Sequence, residues 1–319
     1  MNKHNYPFDL IKDEYFDNKP RLNDFSWIKN RPIIRFTDSM EKGAKHFIPG
    51  EKLLTAINTS IAIGDPLLVT GEPGTGKTQI AYYIAYKLSL EKVLHFQVKS
   101  TSKAQDLLYV FDTIKYFQDA NIHDPGIRIN KGDYIEKGPF WNALISDKPR
   151  VLLIDEIDKA PRDFPNDLLF ELDQNKFKVP ELGEDFQVPD PILEHSVCRP
   201  IVVITSNSER RLPEPFLRRC VFHYITFNEL LLEKAVNARK NEYPDLSPEF
   251  LKHAIARFID LRKQNLRKKP GTSELLTWLR VMSVASNVEI KTLEEELSHL
   301  PYLGTLLKDH ADLEEIEKN

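Results

Sequence analysis

An octapeptide in this chain has the residue types that hold the phosphates of a nucleotide. It consists of Gly71, Glu72, Pro73, Gly74, Thr75, Gly76, Lys77 and Thr78, which matches the pattern G-x-x-x-x-G-K-[ST] in full. The glycines let the backbone turn tightly enough to direct several N–H groups at phosphate oxygens. The lysine adds a cation for the β- and γ-phosphates, and the threonine hydroxyl can ligate Mg²⁺. The octapeptide therefore predicts a P-loop that binds a nucleotide together with magnesium.

The segments on either side of this loop favour the same prediction. Residues 66–70 form a short apolar run that is typical of a buried strand. Residues 79–90 carry apolar side chains at helical spacing. A strand, a glycine-rich loop and a helix in this order would place the helix N-terminus beneath the phosphates.

Two carboxylates follow a second apolar run, residues 151–154, which also reads as a strand. Ligands of parallel sheets bind beyond the carboxyl ends of the strands, where Asp155 and Glu156 would lie. We expect Asp155 to hold Mg²⁺ together with Thr78, and we expect Glu156 to polarise the attacking water. The scattered histidines predict no additional metal site, because none has a metal-ligand partner at suitable spacing.

Three further polar residues are candidates for the same site. Asn207 follows the apolar run 201–205 and could orient water without adding negative charge, although asparagine also commonly forms turns. Arg218 and Arg219 precede the strand-like run 221–227. Paired arginines of this kind are often surface ion-pairing residues, but phosphoryl transfer also uses an arginine that approaches the γ-phosphate from outside the site.

The composition limits the class of protein. The chain has 319 residues, of which 41% are apolar and 29% charged, as in ordinary soluble globular proteins. Its net charge of −4 provides no overall attraction to nucleic acid or to an anionic membrane. Its two cysteines, Cys198 and Cys220, are typical of unpaired thiols in a reducing compartment. With neither a signal peptide nor an apolar run of about 18 residues, the protein is expected to be cytoplasmic and not bound to membranes.

The order of the predicted elements indicates the domain organisation. Residues 1–50 are proline-interrupted and predict an irregular N-terminal extension. Strands and helices alternate over residues 51–228, and only helices follow over residues 229–319. This order predicts a parallel-sheet nucleotide domain and a small helical lid. Helices are expected over residues 230–243, 249–264 (with Ser247 as N-cap and Pro248 first), 273–285 and 293–307, and a frayed, solvated helix over 309–319. An exposed hairpin or loop is expected over the proline-rich residues 180–200.

Taken together, these motifs and their order resemble the AAA+ ATPases, in particular the MoxR branch, which carries an additional insertion in its second helix. The resemblance covers roughly residues 45–285 and rests on the stretches 71–78, 138–140, 153–160 and 212–219. It implies a P-loop NTPase α/β fold with a parallel five-stranded sheet and a C-terminal all-helical lid domain. It also implies a ring, commonly hexameric, with ATP and Mg²⁺ bound between subunits.

The resemblance assigns roles to individual residues. Asn207 matches sensor 1, and Arg219 best matches the arginine finger, with Arg218 as the alternate. Insertions are implied at about residues 111–135 and 176–198, and in related rings such insertions face the central pore or a partner. The chain departs from the family at the lid helix, where residues 270–275 lack the usual sensor 2 arginine and Arg280 is only a weak substitute.

The function expected from this resemblance is that of an ATP-hydrolysing motor that remodels a protein partner, which for MoxR-type ATPases is commonly a protein with a von Willebrand factor A domain. A nucleic-acid-directed motor of a restriction or defence system is the alternative, supported by five basic residues within positions 262–269. A solvated helix end explains that run more simply, and the overall acidity argues against a nucleic-acid partner. A third alternative is a nucleotide-gated scaffold with slow turnover, which the missing sensor 2 arginine supports.

Overall fold

The computed structural model describes residues 40–122, 129–189, 199–285 and 289–318. The predicted N-terminal extension therefore lies outside the described residues up to position 39, and so does Cys198. The chain divides into two compact units, of which one is Gly43–Thr226 and the other contains Phe227 and the chain that follows. None of the helices in the described ranges combines the length and the apolar content that crossing a membrane requires.

The first unit is built around a sheet of five strands. Its strands and short strand pairs are, in chain order, β1 (Leu67–Gly71), β2 (Leu94–Gln97), β3 (Tyr109–Phe111), β4 (Ile135–Lys137), β5 (Val151–Asp155), β6 (Phe177–Lys178), β7 (Gln187–Val188), β8 (Ile201–Ser206) and β9 (Val221–Ile225). The large sheet has the order β2-β5-β8-β1-β9, and every neighbouring pair in it is parallel. This sheet confirms the predicted α/β fold class.

Both faces of the sheet are buried, which explains why its central strands read as continuous apolar runs. Successive residues of a strand point to opposite faces. In β1, Leu68 therefore packs into one core with Phe140, whereas Leu67 and Val69 pack into the other core with Ile80. Because the strands are parallel, the carboxyl ends of β1, β5 and β8 lie at the same edge of the sheet.

Helices lie before, between and after the strands of this sheet, and several of them pack on its two faces. They are α1 (Met40–Ala44), α2 (Glu51–Ile63), α3 (Gln79–Lys87), α4 (Ala104–Leu108), α5 (Thr113–Ile122), α6 (Pro139–Leu144), α7 (Phe164–Asp167), α8 (Leu169–Gln174) and α9 (Glu214–Leu217), with 3₁₀ turns at Lys131–Tyr134 and Ile157–Lys159. Helix α2 ends at Gly64, whose left-handed conformation lets its N–H bond the carbonyl of Ser60. Helix α6 begins with Pro139, whose missing N–H costs nothing in the first turn.

One antiparallel strand pair borders the first stretch that was expected to be an insertion, residues 111–135, and a second pair lies within the other stretch, residues 176–198. Strands β3 and β4 pair on either side of α5 and the 3₁₀ turn Lys131–Tyr134. Strands β6 and β7 form a short hairpin in the proline-rich region. The expectation of an exposed hairpin or loop over residues 180–200 was only partly right, because Val188 is buried against the same core as Phe140. Residues 190–198 of that range lie outside the described residues.

The second unit is helical in its described part. Its helices are α10 (Glu229–Ala238), α11 (Pro248–Lys263), α12 (Thr272–Val284), α13 (Ile290–Glu294) and α14 (His310–Lys318), with 3₁₀ turns at Lys240–Glu242, Leu297–His299 and Leu303–Thr305. Their core contains the fully buried side chains of Tyr243, Phe258 and Trp278. Helix α11 starts as predicted, since the Ser247 hydroxyl accepts a hydrogen bond from the N–H of Phe250 at 3.1 Å.

The predicted continuous helix over residues 293–307 was wrong. Helix α13 ends at Glu294, and two 3₁₀ turns follow it. Pro301 has no N–H to continue a helical ladder, and its carbonyl instead accepts a hydrogen bond from the Trp278 indole at 2.6 Å. The C-terminal helix was also expected to be fully solvated, but its Asp312 and Ile316 are buried.

Gly138 lies at a point of close backbone contact and provides a stability test. A Cβ at this position would lie 2.4 Å from the Leu107 carbonyl oxygen and 2.6 Å from that of Leu108. We expect Gly138→Ala to lower the free energy of unfolding by about 1–3 kcal/mol, because backbone atoms must move apart. Gly304→Ala is the matched control, since a Cβ there meets no atom within 4 Å. Urea denaturation of both variants measures the difference, and equal midpoints would contradict the clash.

Candidate nucleotide-binding site

The P-loop connects β1 to α3 and depends on glycine at two positions in particular. Gly71 has φ +147°, and a Cβ on it would lie 2.7 Å from the Ile225 carbonyl oxygen of the neighbouring strand. Gly76 has φ +88°, and a Cβ on it would lie 3.2 Å from the Phe47 ring. Other residue types rarely adopt such φ values. The loop shape predicted from the glycine spacing is therefore enforced both by backbone conformation and by close neighbours.

The amine of Lys77 is held at the centre of this loop. It donates hydrogen bonds to the carbonyl oxygens of Gly71 and Glu72, both at 2.9 Å, and the residue is only 7% exposed. Burial lowers the pKa of Lys77, and the nearby carboxylates of Asp158 and Asp155 oppose that change. A buried cation with flexible carbonyl partners can exchange those partners for phosphate oxygens.

Asp155 is the carboxylate on which the site converges. Its oxygens accept hydrogen bonds from the hydroxyls of Thr78, at 3.0 and 3.3 Å, and Thr205, at 2.5 Å. The Nε2 atom of His95 lies 3.3 Å from the same carboxylate. Burial opposes ionisation of Asp155, but hydrogen bonds from His95, Thr205 and Thr78 outweigh it and lower the pKa of this carboxyl group.

The residues predicted to hold magnesium suit that ion. The Thr78 hydroxyl and the Asp155 carboxylate are hard oxygen donors, and they lie within hydrogen-bonding distance of each other. The lowered pKa of Asp155 keeps its carboxylate ionised at neutral pH, as a metal ligand must be. These two residues would hold Mg²⁺ beside the phosphates that the P-loop binds.

Glu156 directly follows Asp155 but faces a different set of partners. Its left-handed backbone, φ +60°, turns the chain sharply at the end of β5. Its carboxylate accepts hydrogen bonds from Gln97 at 2.7 Å, Lys159 at 2.6 Å and Asn207 at 3.2 Å. The hydrogen bond to Glu156 raises the pKa of Lys159. The predicted catalytic carboxylate and the predicted sensor amide therefore meet directly.

Several residues of the site were not predicted from the sequence. Thr205 donates to Asp155 while accepting the Glu156 backbone N–H at 2.8 Å, so one hydroxyl fixes both. Asp158 is buried and accepts the N–H groups of Asn207 and Glu209, at 3.2 and 3.0 Å. The signal for Thr205 was a polar residue at the end of an apolar strand. For Asp158, no pattern in the sequence indicated which backbone groups it would bind.

The two arginines that were predicted as finger candidates differ in their surroundings. The Nε atom of Arg219 donates to Asp173 at 2.6 Å, and its Nη1 atom donates to the Pro215 carbonyl at 3.0 Å. The side chain of Arg218 is 81% exposed and lies 3.6 Å from Glu214. The described contacts of both arginines are thus with residues 173, 214 and 215 and not with the P-loop.

Arg280, the weak substitute for a sensor 2 arginine, lies in the helical unit. Its guanidinium forms an ion pair with Glu242, to which its Nε atom donates at 2.7 Å. Both partners are largely shielded from solvent, with 20% and 24% of their side chains exposed. Arg280 therefore has a structural partner within its own unit, and a role towards the nucleotide remains a prediction.

Comparison with known proteins supports the coarser part of the resemblance. Residues 66–220 match the family model described as AAA domain (dynein-related subfamily). The match spans just under half of the chain and includes the P-loop, Asp155, Glu156 and Asn207. These residues are therefore similar in sequence to AAA domains. The match does not name the MoxR branch.

Two individual proteins resemble the chain, one over a short part of it and the other with little sequence identity. The chain is 33% identical over 70 residues to midasin of Dictyostelium discoideum, and this stretch is 22% of the chain but 1% of midasin. The chain thus spans a very small part of the length of that relative. A solved structure from Cytophaga hutchinsonii, described as a candidate ATPase, has 15% identity and a TM-score of 0.39, with 88% of this chain and 92% of that chain covered.

Lys77 allows a direct test of the binding site. We expect Lys77→Ala to weaken binding of a fluorescent ATP analogue by about 10-fold or more, because hydrogen bonds to charged groups are worth roughly 1.5–3 kcal/mol. Lys87→Ala is the control, since Lys87 is an exposed lysine at the other end of α3. Equilibrium fluorescence titration measures both dissociation constants. The same value for Lys77→Ala and the parent protein would show that the loop does not bind phosphates as described.

Proposed function

We propose that this protein is a Mg²⁺-dependent ATPase that works as a MoxR-type AAA+ motor. One observation carries the proposal: Lys77, Thr78, Asp155, Glu156 and Asn207 gather where β1, β5 and β8 end. Each of these side chains has the chemistry that one part of ATP hydrolysis needs. Phosphoryl transfer requires mainly positioning and charge stabilisation, and these residues supply both.

The proposed mechanism assigns a separate task to each residue. Lys77 and the loop N–H groups would bind the phosphates, and Thr78 and Asp155 would hold Mg²⁺ beside them. The bound ion supplies positive charge that offsets the charge of the phosphate oxygens. The Glu156 carboxylate would accept a proton from the attacking water, and the Asn207 amide would help to orient that water. Because hydrogen bonds already orient Glu156 and Asn207, little reorganisation would accompany the reaction.

We further propose that active sites are completed between the subunits of a ring, with Arg219 as the arginine finger. The ion pair with Asp173 and the bond to the Pro215 carbonyl fix the plane of its guanidinium. An oriented guanidinium loses less conformational entropy when it binds a phosphate. The exposed Arg218 has only a long contact with Glu214, so it is less well prepared for this task.

The protein partner, its von Willebrand factor A domain and the ring size are proposed on the resemblance alone, and the cytoplasmic location is proposed on the composition of the sequence. Proteins of the MoxR branch use ATP for a remodelling or chaperone-like action on such a partner. The nucleotide-gated scaffold with slow turnover stays the alternative, and measured turnover distinguishes the two.

Contacts in the basic run weaken the case for a nucleic-acid motor. The guanidinium of Arg262 is buried, lies 3.8 Å from the centre of the Phe227 ring and donates to the Pro270 carbonyl. Lys263 and Lys268 pair with Asp260 and Asp309, at 3.5 and 3.3 Å. Three of the five cations are therefore engaged within the helical unit. Such an arrangement favours a structural role over a phosphate-binding surface.

Replacing Glu156 by glutamine tests the proposed catalysis. The amide keeps the size of the carboxylate but cannot accept the proton, so nucleotide affinity should be retained. We expect kcat to fall by about 10²-fold or more, the usual effect of removing a general base. Glu184→Gln, at an exposed position outside the site, is the matched control. Hydrolysis by Glu156→Gln at the parent rate would mean that another group activates water.

Mixing two inactive variants tests whether Arg219 acts on a neighbouring subunit. We expect Arg219→Ala to bind ATP and to lose about 10³-fold or more in rate, as arginine fingers do. Mixed with Glu156→Gln, it should regain part of the activity, because some interfaces then combine an intact glutamate with an intact arginine.

Two further variants make the mixing result specific. Arg211→Ala removes a side chain that is 86% exposed and serves as the control for loss of a surface arginine. Arg218→Ala decides between the two finger candidates. If Arg218→Ala rather than Arg219→Ala loses activity and regains it on mixing, Arg218 and not Arg219 is the arginine finger. If the protein is fully active in the ATPase assay while light scattering with Mg²⁺-ATP shows a monomer, the ring proposal is wrong.

A further inference from the structure

His95 lies on the edge strand β2 and connects the metal-binding carboxylate to the helix after the P-loop. Its Nε2 atom is 3.3 Å from Asp155 Oδ2, and its Nδ1 atom is 3.1 Å from the Tyr82 hydroxyl. Tyr82 is in α3, one helical turn after Thr78. Side chains four residues apart lie on the same face of a helix. Asp155 is therefore bonded to the start of α3 directly through Thr78 and, one turn later, through His95 and Tyr82.

The chemistry of these groups fixes the direction of the hydrogen bond to Asp155, and the direction of the bond to Tyr82 follows when the imidazole is neutral. An ionised carboxylate only accepts, so His95 must carry a hydrogen on Nε2 and donate it to Asp155. In neutral imidazole, the other ring nitrogen is then an acceptor, and the Tyr82 hydroxyl donates to it. Each polar atom in this series of hydrogen bonds, which runs from Tyr82 through His95 to Asp155, thus has a suitable partner.

The two oxygens of Asp155 have different donors. Oδ1 accepts from Thr78 and Thr205, at 3.0 and 2.5 Å. Oδ2 has the His95 contact and a longer hydrogen bond from Thr78, both at 3.3 Å. Among the residues that the structure describes, His95 is the partner of Oδ2 outside the P-loop, so without the imidazole the carboxylate could rotate about its own bond to Cβ. His95 also packs edge-on against the Tyr82 ring, with ring centres 6.2 Å apart, so a purely structural role must be tested separately.

We propose that His95 is a positioning residue that fixes the magnesium-binding orientation of Asp155, with Tyr82 setting the tautomer and the direction of the imidazole. The proposal rests on the proposed ATPase function, because it assigns Asp155 to the metal. Groups that hydrogen-bond a metal ligand typically change metal affinity or activity by about 10–100-fold when they are removed.

Two amide substitutions separate the hydrogen bond from the bulk of the ring. The amide nitrogen of His95→Gln can take the place of Nε2 and donate to Asp155. The shorter amide of His95→Asn reaches only the place of Nδ1 and cannot donate to that carboxylate. Tyr82→Phe is a third variant, which keeps the aromatic packing and removes only the hydroxyl that orients the imidazole.

The readout is the binding of a fluorescent ATP analogue by the full chain, first in EDTA and then during a titration with Mg²⁺. Affinity in EDTA should match that of the parent in all three variants, which also shows that they are folded. For His95→Asn, we expect the Mg²⁺ concentration that gives half of the maximal change in analogue binding to rise by about 10-fold or more. His95→Gln should stay near the parent value, and Tyr82→Phe should lie between the two. The Mg²⁺ dependence of turnover should show the same order.

Three results would overturn the proposal. In the first, His95→Asn responds to Mg²⁺ as the parent does. In the second, the asparagine and glutamine variants shift equally, which would make the ring and not its hydrogen bond responsible. Loss of affinity in EDTA with an unchanged Mg²⁺ midpoint would show a structural role alone and would also contradict it. If the parent protein itself binds no nucleotide, the proposed function fails, and that outcome is distinct from the others.

Discussion

The buried carboxylate of Asp155 is the constraint on which the candidate site depends. A carboxylate that is 5% exposed must receive hydrogen bonds, because leaving it unpaired would cost several kcal/mol, roughly what burial of a lone charge demands. Its donors come from the P-loop helix and from β2 and β8, on either side of β5. Satisfying this one group therefore requires that three separate elements be packed in a single register around the end of β5.

The parallel sheet makes that arrangement possible. Its strands all end at the same edge, and a shift of a strand by one residue would move each side chain to the opposite face, away from the core in which it packs. Thr205 then lies near both Asp155 and the Glu156 backbone, and one hydroxyl fixes the two consecutive acidic residues. Asp155 and Glu156 are adjacent in the sequence, yet the left-handed backbone of Glu156 directs the two carboxylates to different partners.

The helical unit shows how strongly packing can override local patterns. The apolar spacing over residues 293–307 favours a helix, yet Pro301 interrupts it and the leucines on either side pack individually into the core. In the basic run, Arg262 is buried against Phe227, where a solvated helix end was expected. Asp312, in the acidic tail, accepts the backbone N–H groups of Arg267 and Lys268 at 2.7 and 3.0 Å. The acidic tail and the basic run thus stabilise each other.

The sequence by itself determined the features whose cause is local. The P-loop is contiguous, the central strands are apolar throughout because both faces are buried, and Ser247 caps its helix through a neighbouring N–H. Only the tertiary structure decided which distant side chains meet. His95 and Thr205 lie 60 and 50 residues from Asp155, and Arg219 lies 46 residues from Asp173. Such contacts depend on strand order and register, which arise from the packing of the whole sheet and leave no pattern in any single segment.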